Sequence, residues 1–169
     1  RIAKQNNLDL HAFLKIAPNN ILYQGFVNFD HDSSYYNWVN TDARSKLEFY
    51  SNDHSAFMDS SREYSATFQI KTNRKGISRA RYLLFESEIM IPEKLNKAAV
   101  VLSIVNGTEQ IYYTDFDLNL YVKQSDEWQK IQFLFPLNLR KNSDDLIKLY
   151  IWNPGKSKFY YDDISIIIY

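Results

Sequence analysis

From residue 21 onward, apolar and polar positions alternate in short runs: ILYQGFVNF, SKLEFY, YSATFQI, RYLLFESEIMI, AAVVLSIV, IYYTDFDLNLYV, WQKIQFLFPL, LIKLYIW and FYYDDISIIIY. A period of two, rich in β-branched and aromatic residues, is the pattern of strands. The runs are separated by the turn-prone pieces SNDHS, TNRKG, NGTEQ, KQSDE, RKNSDD and NPGKSK. Strand after strand with no intervening helices predicts an all-β fold, a two-sheet antiparallel β-sandwich of the jelly-roll kind, over residues 20–169. Ahead of it, LDLHAFLKIAPNN places Leu8, Leu10, Phe13, Leu14 and Ile16 at mixed spacing and stops at Pro18. Residues 1–19 therefore read as an arm or linker remnant, with room for a short helix.

Alternation also sorts the faces. In WQKIQFLFPL, Ile131, Phe133, Phe135 and Leu137 share one side and Lys130, Gln132 and Leu134 the other. In LIKLYIW, Ile147, Leu149 and Ile151 oppose Lys148, Tyr150 and Trp152. The aliphatic sets predict the core. If both strands belong to one sheet, Lys130, Gln132, Lys148, Tyr150 and Trp152 form one mixed polar and aromatic face.

The last strand carries the adjacent pair Asp162 and Asp163. If Ile164, Ile166 and Ile168 face the core, alternation turns Asp162 inward and Asp163 outward, and two carboxylates on opposite faces cannot act on one substrate. A buried Asp162 then needs a partner, because an uncompensated carboxylate costs several kcal/mol. Backbone amides, a Lys or Arg, or a calcium ion would serve.

Several of these runs resemble a known family. FVNFD at 26–30, EYSATFQI at 63–70, EWQKIQFLFPL at 127–137, LYIWNPGK at 149–156 and FYYDDISI at 159–166 follow, in order, the strands of the galactose-binding-domain-like jelly roll used by bacterial carbohydrate-binding modules. The resemblance implies a glycan ligand, a non-catalytic role beside other domains of a parent protein, and an extracytoplasmic location. It also implies that the acid ending the first strand, Asp30, lies near Asp162, where many members hold a structural calcium. The sequence departs from the pattern in having Asp30 where Glu is commoner and FVN where N-G is usual.

Composition narrows the alternatives. The 169 residues include 13 Tyr and 11 Phe, which suits aromatics packed on pleated faces. Lys plus Arg equals Asp plus Glu at 20 each, so no overall field favours nucleic acid or an anionic membrane. No apolar run approaches the roughly 18 residues of a membrane span. Without cysteine, thiol nucleophiles and disulfide frameworks are excluded. The three histidines lack metal-site spacing, and the four glycines form no phosphate-cradling loop. The chain opens RIAKQNN and reads as a piece of a longer precursor, with any targeting segment upstream.

The basic stretch KTNRKGISRAR reads as a solvated hairpin, and Asn106-Gly107 as a tight hairpin turn. Flat rings that stack on sugars, with amides and charges for the hydroxyls, are what a glycan site needs. Two groups qualify: Tyr35, Tyr36 and Trp38 in the loop after the first strand, and Tyr150 and Trp152 with Lys130, Gln132 and Lys148. The alternative for Trp38 is to plug one end of the sandwich, and Trp128 is expected to pack. A structural or protein-interaction sandwich is the competing function. An enzyme would require Glu86, Glu88, His54 and Asp115 to gather in one cleft.

Overall fold

The computed structural model describes residues 20–31, 35–92, 94–141 and 143–169. The expected arm over residues 1–19 lies outside the described residues. Among the described residues are eleven strands: β1 (Tyr23–Val27), β2 (Trp38–Val39), β3 (Arg44–Ser45), β4 (Ser55–Met58), β5 (Thr67–Lys71), β6 (Tyr82–Met90), β7 (Ala99–Asn106), β8 (Glu109–Asp117), β9 (Gln129–Pro136), β10 (Leu146–Trp152) and β11 (Phe159–Ile168). They form two antiparallel sheets. The six-stranded sheet runs β3-β4-β11-β6-β9, with β1 also on β11, and the five-stranded sheet runs β2-β5-β10-β7-β8.

The core lies between the sheets and follows the alternation. Ile131, Phe133, Phe135 and Leu137 from β9 and its end meet Ile147, Leu149 and Ile151 from β10. Phe116 of β8 stacks on Phe133 at 4.6 Å and meets Phe135 edge-on at 4.9 Å, so rings from the two sheets interdigitate. At one end Trp38 packs edge-on to Phe68 at 5.5 Å, and it is only 8% exposed. Asn153, wholly buried after β10, gives its amide N–H groups to the carbonyls of Asp59, Arg62 and Ser157 and accepts from the Ser157 N–H. Its side chain thus ties the NPGKSK turn to the 59–62 loop.

Four expectations are corrected. First, β9 and β10 belong to different sheets, so Lys130 and Gln132 cannot share a face with Lys148, Tyr150 and Trp152. Alternation fixes a residue's side of its own strand but carries no information on which strand pairs with which. Second, SKLEFY is a strand only at Ser45; residues 46–54 cross the outer face of the six-stranded sheet, and the chain pairs again at β4. The backbone N–H groups of Tyr50 and Ser51 bond the Asp162 carboxylate instead of a neighbouring strand. Third, KTNRKGISRAR is no hairpin. It carries the chain from β5 in one sheet to β6 in the other through a 3-10 turn at Ile77–Arg79, entered at Gly76 with φ 90°. Asn106-Gly107 does turn a hairpin between β7 and β8, with Gly107 at φ 57°.

The fourth correction concerns the aspartates. Asp162 pairs with Glu88 of β6 and Ser165 with Glu86, so β11 holds one extra residue there, a β-bulge, with Asp163 at φ 48°. The extra residue resets the alternation: Phe159 and Tyr161 face the core before it, and Ile164, Ile166 and Ile168 after it. Asp162 is therefore fully buried, but on the outer side of its sheet, beside Glu88 and beneath the 46–54 segment. Asp163 is not turned away from it, because both carboxylates reach Ser51.

Candidate functional site: an aromatic groove on the five-stranded sheet

Residues of β10 that do not enter the core look out from the five-stranded sheet. Lys148 lies between Gln69 of β5 and Ser103 of β7, and Ser103 is opposite Tyr113 of β8. In the next row Tyr150 is opposite Val101, which is opposite Asp115. Strands about 4.8 Å apart thus bring polar and aromatic side chains from four strands onto one surface. Tyr64 meets Tyr150 edge-on at 5.7 Å, and a groove of about 370 Å³ is lined by Asn40, Tyr64, Gln69, Ser103, Lys148 and Tyr150, among others. A second hollow of about 570 Å³ adjoins it, sharing Val39 and Gln69 and reaching Tyr36 and Arg74.

Two phenols of this face, Tyr150 in the groove and Tyr113 opposite Ser103, have their pKa raised. Burial, then the Asp115 charge, push Tyr113 up to about 12, and its hydroxyl donates to Asp115 Oδ2 at 3.1 Å. Burial raises Tyr150 as well, with Tyr64 adding to the effect. The half-buried Tyr150 ring, with its hydroxyl protonated, offers a sugar both an apolar face and a hydrogen-bond donor, whereas the Tyr113 proton is already given to Asp115.

The residues expected at a site are distributed as follows. Lys148 and Tyr150 line the groove. Trp152 shares their side of β10, but its indole N–H donates to Glu63 at 3.0 Å and Lys97 sits over its ring at 5.2 Å. Trp38 fills the core end described above. Tyr35 is half-buried against the core, its hydroxyl donating to Asn28 at 3.3 Å. Tyr36 is 75% exposed and lies 5.1 Å from the Arg74 guanidinium.

Lys130 and Gln132 are on the opposite side of the molecule, both bound to Glu86. Trp128 packs there against Tyr50 at 5.9 Å. Tyr64, Gln69, Ser103 and Tyr113 were not singled out from the sequence. Alternation within YSATFQI and AAVVLSIV puts Gln69 and Ser103 on the outer side of their strands, yet only the register with β10 shows that they meet Lys148.

On the six-stranded sheet, Asp30 and Asp162 are bridged by residues 50–53. Asp162 Oδ2 accepts the N–H groups of Tyr50 (3.1 Å) and Ser51 (3.2 Å), and Oδ1 that of Asp163 (2.8 Å). Asp30 accepts from the Asn52 amide at 2.7 Å, the Asn28 amide at 2.5 Å and the Asp53 N–H at 3.1 Å. Both carboxylates thus have hydrogen-bond partners in the chain itself, which meets the requirement of a buried Asp162 without a metal. Among the described residues no group of three or more His, Asp or Glu side chains is placed to hold a metal.

Burial pushes Asp162 up to about 6, against the pull of its three amide donors and with the Asp163 charge adding to the rise. Glu88, beside it, is raised chiefly by burial. The carboxylates an enzyme would have needed are divided between the two faces: Glu86 and Glu88 on this sheet, Asp115 on the other. His54 is held below its ordinary value by burial and by Arg44 and Lys46, and its buried Nδ1 has no hydrogen-bond partner.

No protein-family model matches the sequence, and no curated protein matches it. Solved structures share the fold. The CBM22-1-CBM22-2 tandem domain of Paenibacillus barcinonensis Xyn10C superposes with a TM-score of 0.54 at 13% identity, over 88% of this chain. This chain spans 50% of that tandem. The separate CBM22-1 xylan-binding domain gives 0.52 at 10% identity, covering 88% of this chain and 94% of that one. The CBM22-2 xylan-binding domain gives 0.51 at 13%, covering 88% and 99%. The chain has the jelly-roll sandwich fold of these modules.

Proposed function

We propose that this chain is a non-catalytic carbohydrate-binding module that holds a polysaccharide across the outer face of its five-stranded sheet. The observation that carries the reading is the open groove in which Tyr150 and Tyr64 meet edge-on beside Gln69, Ser103 and Lys148. Rings supply stacking surface, and the amide, hydroxyl and ammonium supply hydrogen bonds to sugar hydroxyls. The shared fold with domains described as xylan-binding supports a β-linked plant polysaccharide as the first ligand to try. On the same reading the module serves a larger extracytoplasmic protein and brings it to its polymer.

The test is binding of the purified domain to a panel of plant, microbial and host glycans, with a Tyr150→Ala variant of unchanged fold. The reading expects binding in the parent chain and its loss in the variant. A folded domain that retains no glycan of the panel would turn the assignment towards a structural or protein-interaction sandwich.

A further inference from the structure

The groove holds an ammonium that no carboxylate of the described residues pairs. Lys148 is half-buried at its centre, and among the described residues it has neither an ion-pair partner nor a side-chain hydrogen bond. Among the described residues none of the acids of this face pairs with it. Asp115 accepts from the Tyr113 hydroxyl at 3.1 Å, and Glu63 holds the Trp152 N–H at 3.0 Å and Lys156 at 3.7 Å. Asp144 is taken by Lys71 at 2.9 Å and Asn73 at 2.7 Å.

Arg74, in the adjoining hollow, repeats the pattern. Its guanidinium lies 5.4 Å from the Tyr23 ring and 5.1 Å from the Tyr36 ring, with no carboxylate paired to it among the described residues. The two hollows share Val39 and Gln69, so both cations border one continuous surface.

A ligand that covers Lys148 removes water from an ammonium lacking a counter-ion, an unfavourable step that a neutral sugar offsets only through hydroxyls. A sugar bearing a negative group supplies the missing partner. We infer that the groove selects an acidic polysaccharide, one whose rings carry anionic substituents, with Lys148 pairing the charge and Arg74 reaching a second one along the chain. The inference rests on the proposal that this face binds glycan and names the class of glycan.

The experiment compares three ligands by titration calorimetry: glucuronoxylan, the same polymer with its uronic carboxylates reduced to primary alcohols, and a sulfated polysaccharide without carboxylates. One charge-assisted hydrogen bond predicts about tenfold tighter binding of the unreduced polymer than of the reduced one. The preference should shrink at high salt, disappear in Lys148→Gln and survive in Lys148→Arg. Tight binding of the sulfated polymer, also lost in Lys148→Gln, supports the same anionic chemistry with sulfate as its source.

Equal affinity for the reduced and unreduced polymers overturns the inference and leaves the carbohydrate-binding reading standing. So does a preference that persists in the Lys148→Gln, Arg74→Gln double variant. Failure to bind any of the three overturns the inference, and the carbohydrate-binding reading falls with it only if the wider glycan panel is also not bound. Melting curves of each variant establish that it is folded, which removal of an unpaired charge favours.

Discussion

Asp162 should make the domain less stable at pH 7 than at pH 5. The side chain is wholly buried and its pKa rises from 3.8 to about 6, so between those values the folded state holds a proton that the unfolded chain has released. A group whose folded pKa is raised in this way favours folding while it is protonated in both states. It withdraws that support as pH climbs from the unfolded value through the folded one. With values of 3.8 and about 6, ionisation costs about 3 kcal/mol by pH 7, of which a little over half is incurred by pH 5, so that somewhat over ~1 kcal/mol of change remains between the two pH values.

Urea unfolding of the parent chain and of Asp162→Asn at pH 5, 6 and 7 measures this. The variant loses acceptor capacity towards Tyr50, Ser51 and Asp163 and should be less stable at every pH by about 1–3 kcal/mol. The informative quantity is the slope. Glu88 is raised too and acts in the same direction, but it is present in both proteins, so the difference in slope belongs to Asp162. Identical slopes for the two proteins, or a parent chain whose excess stability grows towards pH 7, would refute the argument. Either would show that the three amide donors outweigh burial.

Other consequences are as direct. Tyr150→Ala should weaken glycan binding by about tenfold or more, while Trp128→Ala, on the opposite sheet, should leave affinity unchanged, as read by affinity electrophoresis. Phe135→Ala removes a wholly buried ring from the inter-sheet stack and should cost about 3–5 kcal/mol in chemical unfolding. Calcium added in excess should leave the melting temperature unchanged, because hydrogen bonds from residues 50–53 and Asp163 already satisfy Asp30 and Asp162. A rise reversed by a chelator would show that the ion displaces residues 50–53.

The fold was legible where local rules govern. WQKIQFLFPL and LIKLYIW each divided correctly into a core side and an outer side, since a strand's alternation is a property of its own sequence. The same rule misled at FYYDDISIIIY, where one extra residue reverses the sides of everything before it, and nothing in the pair Asp162-Asp163 announces a bulge. SKLEFY looked like a strand because its apolar content is that of one. Its Leu47, Phe49 and Tyr50 are instead 79%, 44% and 51% exposed, on a segment held by backbone N–H hydrogen bonds to Asp162.

The site was half legible for a related reason. Lys148 and Tyr150 could be placed on an outer face from β10 alone. Their neighbours Gln69, Ser103 and Tyr113 come from strands far away in sequence, and Lys130 and Gln132 were joined to them by a pairing between β9 and β10 that the fold does not make.

The central claim is that glycan is bound on the five-stranded sheet. An NMR titration of the isotopically labelled domain with xylan oligosaccharides tests it most directly, since it reports every backbone amide at once. The account predicts that shifts concentrate at Gln69, Ser103, Lys148 and Tyr150, with Glu86, Glu88 and Lys130 unmoved. Shifts confined to the Glu86 and Lys130 face would contradict it.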